Sequence, residues 1–389
     1  MVEVEAMAPD TATAQEAETG IGPPQVNTLQ KDVEPKVKGD RLAWVDLLRG
    51  IAILLMIPAN LSPYYAEPHA MGYRFMSSLA APMFISLSAG MVILNSGKHH
   101  FNYYLMRGAA VMLIGVLLDI LLWRILPFAS VDVLYLIGLS IPLIYVARGQ
   151  GMPVLIVSGG FLMIGGPVLQ ALLGYHTNVL EIKLGAIHLP EVSRVVTSWF
   201  VDGYFPLLPW LGYALIGACV FRYVSSSEGK GKGIRLFLIG LISLGIGVVL
   251  LFIHTSMIPN LTNGGILSSR EGYSEIFYPP TYGFLFFSNG TIFIQIALFM
   301  RVKRTSWNRL PAFFGSHAML VYISHQALAE YGLKPLLAWM TVERIGDNYI
   351  FVVINVLIFL IVAALCALAD LIKKAHPPRN VFLQVILGK

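Results

Sequence analysis

The sequence predicts an all-α, polytopic membrane helix bundle of about ten transmembrane helices with both termini cytoplasmic. Three observations lead there. Of the 389 residues, 56% are apolar and only 13% are charged, whereas a soluble domain carries about 25% charged residues. The apolar residues come in runs of about 17–25, the length that crosses a ~30 Å hydrocarbon layer as a helix. The basic residues alternate from loop to loop as the positive-inside rule requires.

The runs fall at 43–60, 75–96, 104–123, 131–147, 153–173, 204–221, 234–254, 282–300, 312–331 and 349–372. Backbone polar groups in lipid must be satisfied within their own segment, so these runs are helices. A membrane β-barrel would show alternating segments of about ten residues, and none is present. The run 131–147 is short, and 204–221 opens on Pro206 and Pro209. With the N-terminus inside, 20 of the 27 lysines and arginines face the cytoplasm, leaving Arg74, Arg124, Lys183, Arg194, Arg270, Lys334 and Arg344 outside. An odd number of spans breaks this alternation. Inner loops are then short and basic, and the long loops 174–203, 255–281 and 332–348 lie outside, where with the linker 61–74 they can frame a site.

Residues 1–40 hold eight acidic residues, three lysines and no aromatic residue. Such a stretch cannot bury enough apolar surface to offset its ordering entropy and reads as a disordered cytoplasmic tail. No basic segment leads into an apolar one, so it is not a signal peptide. The domain organisation expected is this tail, a membrane domain over 41–375, and a short cytoplasmic tail over 376–389. Cys219 and Cys366 lie inside apolar runs and supply no disulfide framework. The pI of 9.1 reflects the inner loops and points to no nucleic acid.

The first span carries the densest polar signal. Asp46 and Arg49 are three apart, share one helical face and can pair near the inner surface. They either anchor the helix end or present Arg49 to an anionic ligand such as a phosphate. Asn60 closes the span as a terminator, an interhelical donor or a reacting amide. His69 follows in an exposed linker, and its imidazole, neutral near pH 7, suits proton transfer. His317, Tyr322, His325 and Gln326 lie at helical spacings on the ninth span. They form either a hydrogen-bonded helix interface or the wall of an internal passage. Trp210, behind Pro206 and Pro209, sits where a broken helix lines a cavity or in an interfacial aromatic belt. Asp119 and Asp132 read as solvated caps, and His99 and His100 as surface residues. Gly159, Gly160, Gly165 and Gly166 read as small-residue packing points.

The order of these residues resembles the catalytic region of the heparan-alpha-glucosaminide N-acetyltransferases, within the wider transmembrane acyltransferase superfamily. The resemblance rests on Arg41-x4-Asp46-x2-Arg49-Gly50, Asn60, His69 and Pro82-x-Phe84-x5-Gly90. It continues through Arg107-Gly108, Gly138, Tyr204-Phe205-Pro206-x2-Pro209-Trp210-x-Gly212, Pro279-Pro280 and Phe314-Gly315-x-His317-x4-Tyr322. It implies acetyl-CoA as donor substrate, no metal, and an amine or hydroxyl acceptor on the outer side, typically a sugar such as a glucosaminide. His69 falls on the family's catalytic histidine and Asn60 on the asparagine that accompanies it. It also implies a homodimer in the cell membrane.

On this reading His69 is the base or acetyl carrier and Asn60 the oxyanion donor. Asp46, Arg49, Arg107, Trp210, His317, Tyr322 and His325 serve donor binding, with the phosphates at Arg49 and Arg107. The competing classes are a small-molecule transporter with an intramembrane polar path and a non-enzymatic membrane scaffold. A phosphate loop, a metalloprotease motif and a nucleophile elbow are all missing from the sequence.

Overall fold

The computed structural model describes residues 43–176, 178–186, 190–226, 231–253, 273–302, 307–378 and 380–388. The expected tail over 1–40, Arg41, Lys230, Arg270, Lys303, Arg304, Arg379 and Lys389 lie outside the described residues. So does most of the loop 255–281.

The chain is helical throughout, with only two isolated β-bridges among the described residues. Its α-helices are α1 (Ala43–Asn60), α2 (Met71–Ser78), α3 (Ala80–Asn95), α4 (Phe101–Leu118), α5 (Val133–Ala147), α6 (Met152–Leu173), α7 (Val192–Thr197) and α8 (Leu207–Ser225). There follow α9 (Lys232–Ile253), α10 (Tyr282–Phe299), α11 (Arg309–Ser316), α12 (Ala318–Leu328), α13 (Lys334–Trp339), α14 (Asn348–Ala375) and α15 (Val381–Leu387). Among the described residues, 8 helical segments are long and apolar enough to cross a bilayer. The protein is therefore a polytopic helical membrane protein. The expected runs 131–147 and 312–331 are not among those eight. The first is α5, apolar but short, and the second is broken at His317 into α11 and α12.

Large apolar side chains remain exposed along α6, α9 and α14, including Val157, Phe161, Ile242 and Leu360. Exposed apolar area on this scale is at home against hydrocarbon rather than water.

Close backbone approach sets the helix pairs around the centre. A Cβ placed on Gly50 of α1 would lie 1.9 Å from the Pro311 carbonyl oxygen, and one on Gly315 of α11 would lie 2.1 Å from the Asp46 carbonyl oxygen. Those two glycines let α1 and α11 touch backbone to backbone, as small residues do in membrane bundles. α3 meets α8 in the same manner, with Gly217 against Ser86. α4 meets α5, and α6 meets α8.

The stretch 376–389, expected as a short tail, contains α15. Asn380 caps it by accepting from the Leu383 N–H at 2.7 Å, and Val385 is buried. It packs against α4, α12 and α14, because its apolar residues find a groove there that a free tail would leave open. The broken start of α8 is present as expected: Leu208 has non-helical backbone angles just before Pro209.

Gly50→Ala should destabilise the protein by about 1–3 kcal/mol, since α1 and α11 must part to admit the methyl. Gly160→Ala, which meets nothing within 4 Å, should be neutral. Thermal unfolding of the purified variants checks this, and equal melting of the two would contradict it.

Candidate acyl-transfer site

A cavity of about 870 Å³ has Asp46, Arg49 and Asn60 of α1 on its wall. Asn60 lies eleven residues beyond Arg49 on one helix, so the cavity extends about 16 Å along α1 at 1.5 Å per residue. On α4 the same wall carries Arg107, and it reaches Trp123 just beyond that helix. The cavity is a slot running beside α1 and α4.

Its two ends differ in charge. The Arg49 end carries Lys98 and Arg107, with the His99, Tyr103 and Tyr104 rings beside them. Arg49 pairs with Asp46 at 3.8 Å, the i,i+3 contact their spacing calls for. The Asn60 end carries Glu181, Glu275 and Glu330 with Tyr64, Tyr204, Tyr273 and Tyr278. The slot is thus cationic at one end and acidic and aromatic at the other.

Asn60 is held from across the bundle. His325 Nδ1 lies 2.7 Å from the Val321 carbonyl oxygen, and its Nε2 lies 3.0 Å from Asn60 Nδ2. A carbonyl oxygen only accepts, so Nδ1 carries the proton and Nε2 accepts from the Asn60 amide. This leaves Asn60 a second N–H to direct into the slot. Tyr322, one turn away on α12, lines the slot and donates to Asp132 at 3.1 and 3.2 Å. Asp132 also caps α5 by accepting from the Leu134 N–H at 2.9 Å.

His69 does not line the slot. Its ring stacks on Tyr65 with centroids 5.1 Å apart and meets the Tyr73 ring edge-on at 5.6 Å. Nε2–H donates to the Tyr65 carbonyl oxygen at 3.1 Å, which leaves the lone pair on Nδ1. Pro63 and Tyr64, immediately before Tyr65, are on the slot wall, so the imidazole stands directly behind that wall at the Asn60 end. The linker carrying it is pinned: the Ala66 N–H donates to the Ile345 carbonyl at 2.9 Å and the Ile345 N–H to the Tyr64 carbonyl at 2.8 Å.

The family model described as heparan-alpha-glucosaminide N-acetyltransferase, catalytic, matches residues 41–235. The chain belongs to this family. Membership makes it a membrane acetyltransferase, and the match takes in Asp46, Arg49, Asn60, His69, Arg107 and Trp210. No curated protein matches the chain. The wall contributed by Glu275, Tyr322 and Glu330 lies beyond the matched part of the acetyltransferase.

Three residues expected in donor binding lie off the slot. Trp210 is fully buried against Phe205 and Phe277, which themselves line the slot. The largest apolar side chain has gone to the core and presents no face to a ligand. His317 is buried at the α11–α12 break, where Nδ1–H donates to the Phe313 carbonyl at 2.9 Å. Its Nε2 lies 3.0 Å from Asp370 and 2.9 Å from Lys373, and Lys373 also donates to the Leu387 and Gly388 carbonyls at 3.1 and 3.2 Å. His317 therefore joins the α11–α12 break to α14, and Lys373 joins α14 to Leu387 and Gly388. His325 is fully buried and positions Asn60.

Two further expectations are corrected. Asp119 and Asp132 are buried rather than solvated, because Tyr135 and Tyr322 donate to them. His99 lines the slot instead of facing outward.

His325→Leu should cost about 1–3 kcal/mol by leaving a half-buried amide donor of Asn60 without its acceptor. Denaturant unfolding checks this, and unchanged stability would contradict the pairing.

Proposed function

We propose that the protein is an acetyl-CoA-dependent acetyltransferase of the cell membrane, with both termini and the Arg49 end of the slot facing the cytoplasm. The acceptor is an amine or hydroxyl, most directly on a sugar such as a glucosaminide, presented from the outer side at the Asn60 end. One observation carries the reading: a continuous cavity has Arg49 and Arg107 at one end and Asn60 at the other.

Acetyl-CoA bears several negative charges and does not cross hydrocarbon. In this reading its phosphates stay at Arg49, Lys98 and Arg107, where charge-assisted hydrogen bonds hold them. The uncharged arm runs along α1 and brings the thioester to Asn60. The free Asn60 N–H faces the thioester oxygen and stabilises the negative charge that gathers there during attack. The acceptor nitrogen or oxygen adds to the carbonyl carbon, and His69 takes its proton on Nδ1. The C–S bond then breaks, and the departing thiolate recovers that proton from His69. One base serves both halves of the exchange, which favours direct transfer over an acetyl-histidine. Reaching the thioester requires the His69 ring to leave Tyr65 and turn toward the slot.

Thiol release from acetyl-CoA by the purified protein tests the reaction class, since a transporter releases none. His69→Ala should lower transfer by about 10²–10⁴-fold and Asn60→Ala by about 10²–10³-fold, both with acetyl-CoA affinity retained. Full activity in His69→Ala would overturn the role of the histidine. Arg49→Gln and Arg107→Gln should each weaken acetyl-CoA binding about tenfold to a hundredfold, the equivalent of about 1.5–3 kcal/mol for a charged hydrogen bond. Unchanged titration curves would overturn the placement of the phosphates.

A further inference from the structure

An amine acceptor reaches the slot as an ammonium, because an aliphatic amine holds its extra proton at neutral pH. An ammonium has no lone pair with which to attack. His69, as used above, takes the proton released during attack, so the earlier proton needs another acceptor. The slot holds one group suited to it.

Glu275 precedes α10 in a short buried run and lines the slot together with Asn60. It is only 6% exposed, and its Oε2 has no hydrogen-bond partner. An unpartnered buried carboxylate oxygen is costly to the fold, and a residue on a cavity wall can relieve that cost by turning the oxygen to a ligand. Its backbone is fastened on both sides: Arg74 Nε donates to the Ser274 carbonyl at 3.2 Å, and the Ile276 N–H donates to Ser78 Oγ at 2.8 Å. The carboxylate takes hydrogen bonds from the Ser274 and Glu275 backbone, and Oε2 is left over. Tyr73 lies close enough to Glu275 to interact with it electrostatically, and the same ring packs against His69. Glu275 and the proposed base thus both neighbour one tyrosine.

We propose that Glu275 is the group that receives the acceptor: its carboxylate binds the incoming ammonium at the Asn60 end of the slot and removes the proton the nitrogen must lose before attack. This rests on the acetyl-transfer reading. The balance closes. R–NH3+ gives one proton to Glu275, and R–NH2 forms the C–N bond while the C–S bond breaks. The nitrogen's second proton passes through His69 to the thiolate, and Glu275 later returns its own to water.

The charged and titratable groups facing Glu275 are Arg74 and Tyr73, both on α2. Arg74 favours the ionised carboxylate, but burial outweighs it and pushes Glu275 up to about 7. A carboxyl whose folded-state value is raised penalises the fold increasingly as pH rises through its unfolded value, in full above the folded value, and not at all below the unfolded one.

The test uses the full-length protein with acetyl-CoA and glucosamine as probe. At pH 7, Glu275→Gln should lower kcat/KM for glucosamine about 10²-fold, with acetyl-CoA affinity unchanged. The deficit should shrink as the pH rises and the free amine becomes abundant. Wild-type activity should fall below about pH 7, where Glu275 keeps its own proton. At pH 8 the variant should melt a few degrees higher than wild type, and at pH 4 no higher, because a buried unpaired charge has been removed. Loss of activity together with lowered melting at pH 8 would mark a structural role and overturn the proposal. Wild-type kcat/KM in Glu275→Gln, alongside an active wild type, would overturn the role of Glu275 alone. A wild type that transfers nothing to glucosamine would overturn the amine-acceptor reading and the role of Glu275 with it.

Discussion

Hydrocarbon does not solvate charge, so every polar group that this bundle carries into the membrane needs a partner within the protein or must face a polar interior. That constraint organises the centre of the molecule. Asp46 has Arg49, Asp132 has Tyr322 and a helix N–H, and Asn60 has His325. Each pair borders the same cavity. The slot is the space that these satisfied groups share, and its polar lining lets an anionic substrate's uncharged arm enter without exposing backbone to lipid.

The slot also depends on where the helices do not separate. Glycines draw α1 onto α11 and α3 onto α8 until backbones touch. Open space is therefore confined to the region between these tight contacts. The charge gradient along it follows from chain order: Arg49 and Arg107 lie near helix ends that bear basic residues, while Glu181, Glu275 and Glu330 come from the opposite loops and turns. A donor with phosphates and an acceptor with a cationic amine would therefore be sorted to opposite ends by Coulomb interaction alone.

Much of this is written locally. Span lengths follow from apolar run length, and the Asp46–Arg49 contact follows from helical spacing. The contact between Asn60 and His325 spans 265 residues and no periodicity forecasts it. The only hint is the run of polar residues Tyr322, Ser324, His325 and Gln326 within an apolar span. Trp210 beside two prolines reads as a cavity wall, yet its size sends it into the core behind Phe205 and Phe277. Asp119 and Asp132 sit near span ends, where water is the default partner, and only the fold supplies Tyr135 and Tyr322. Glu275 stands in a loop without periodicity, so nothing in its neighbourhood distinguishes it from a solvated acid until its burial is known.

The account turns on a single ligand bridging the two ends of one slot. A density map of the protein with CoA bound measures this most directly. The account predicts phosphate density against Arg49, Lys98 and Arg107 and the sulfur beside Asn60. Density for the nucleotide at the Glu275 end, or on the lipid-facing surface, would contradict it.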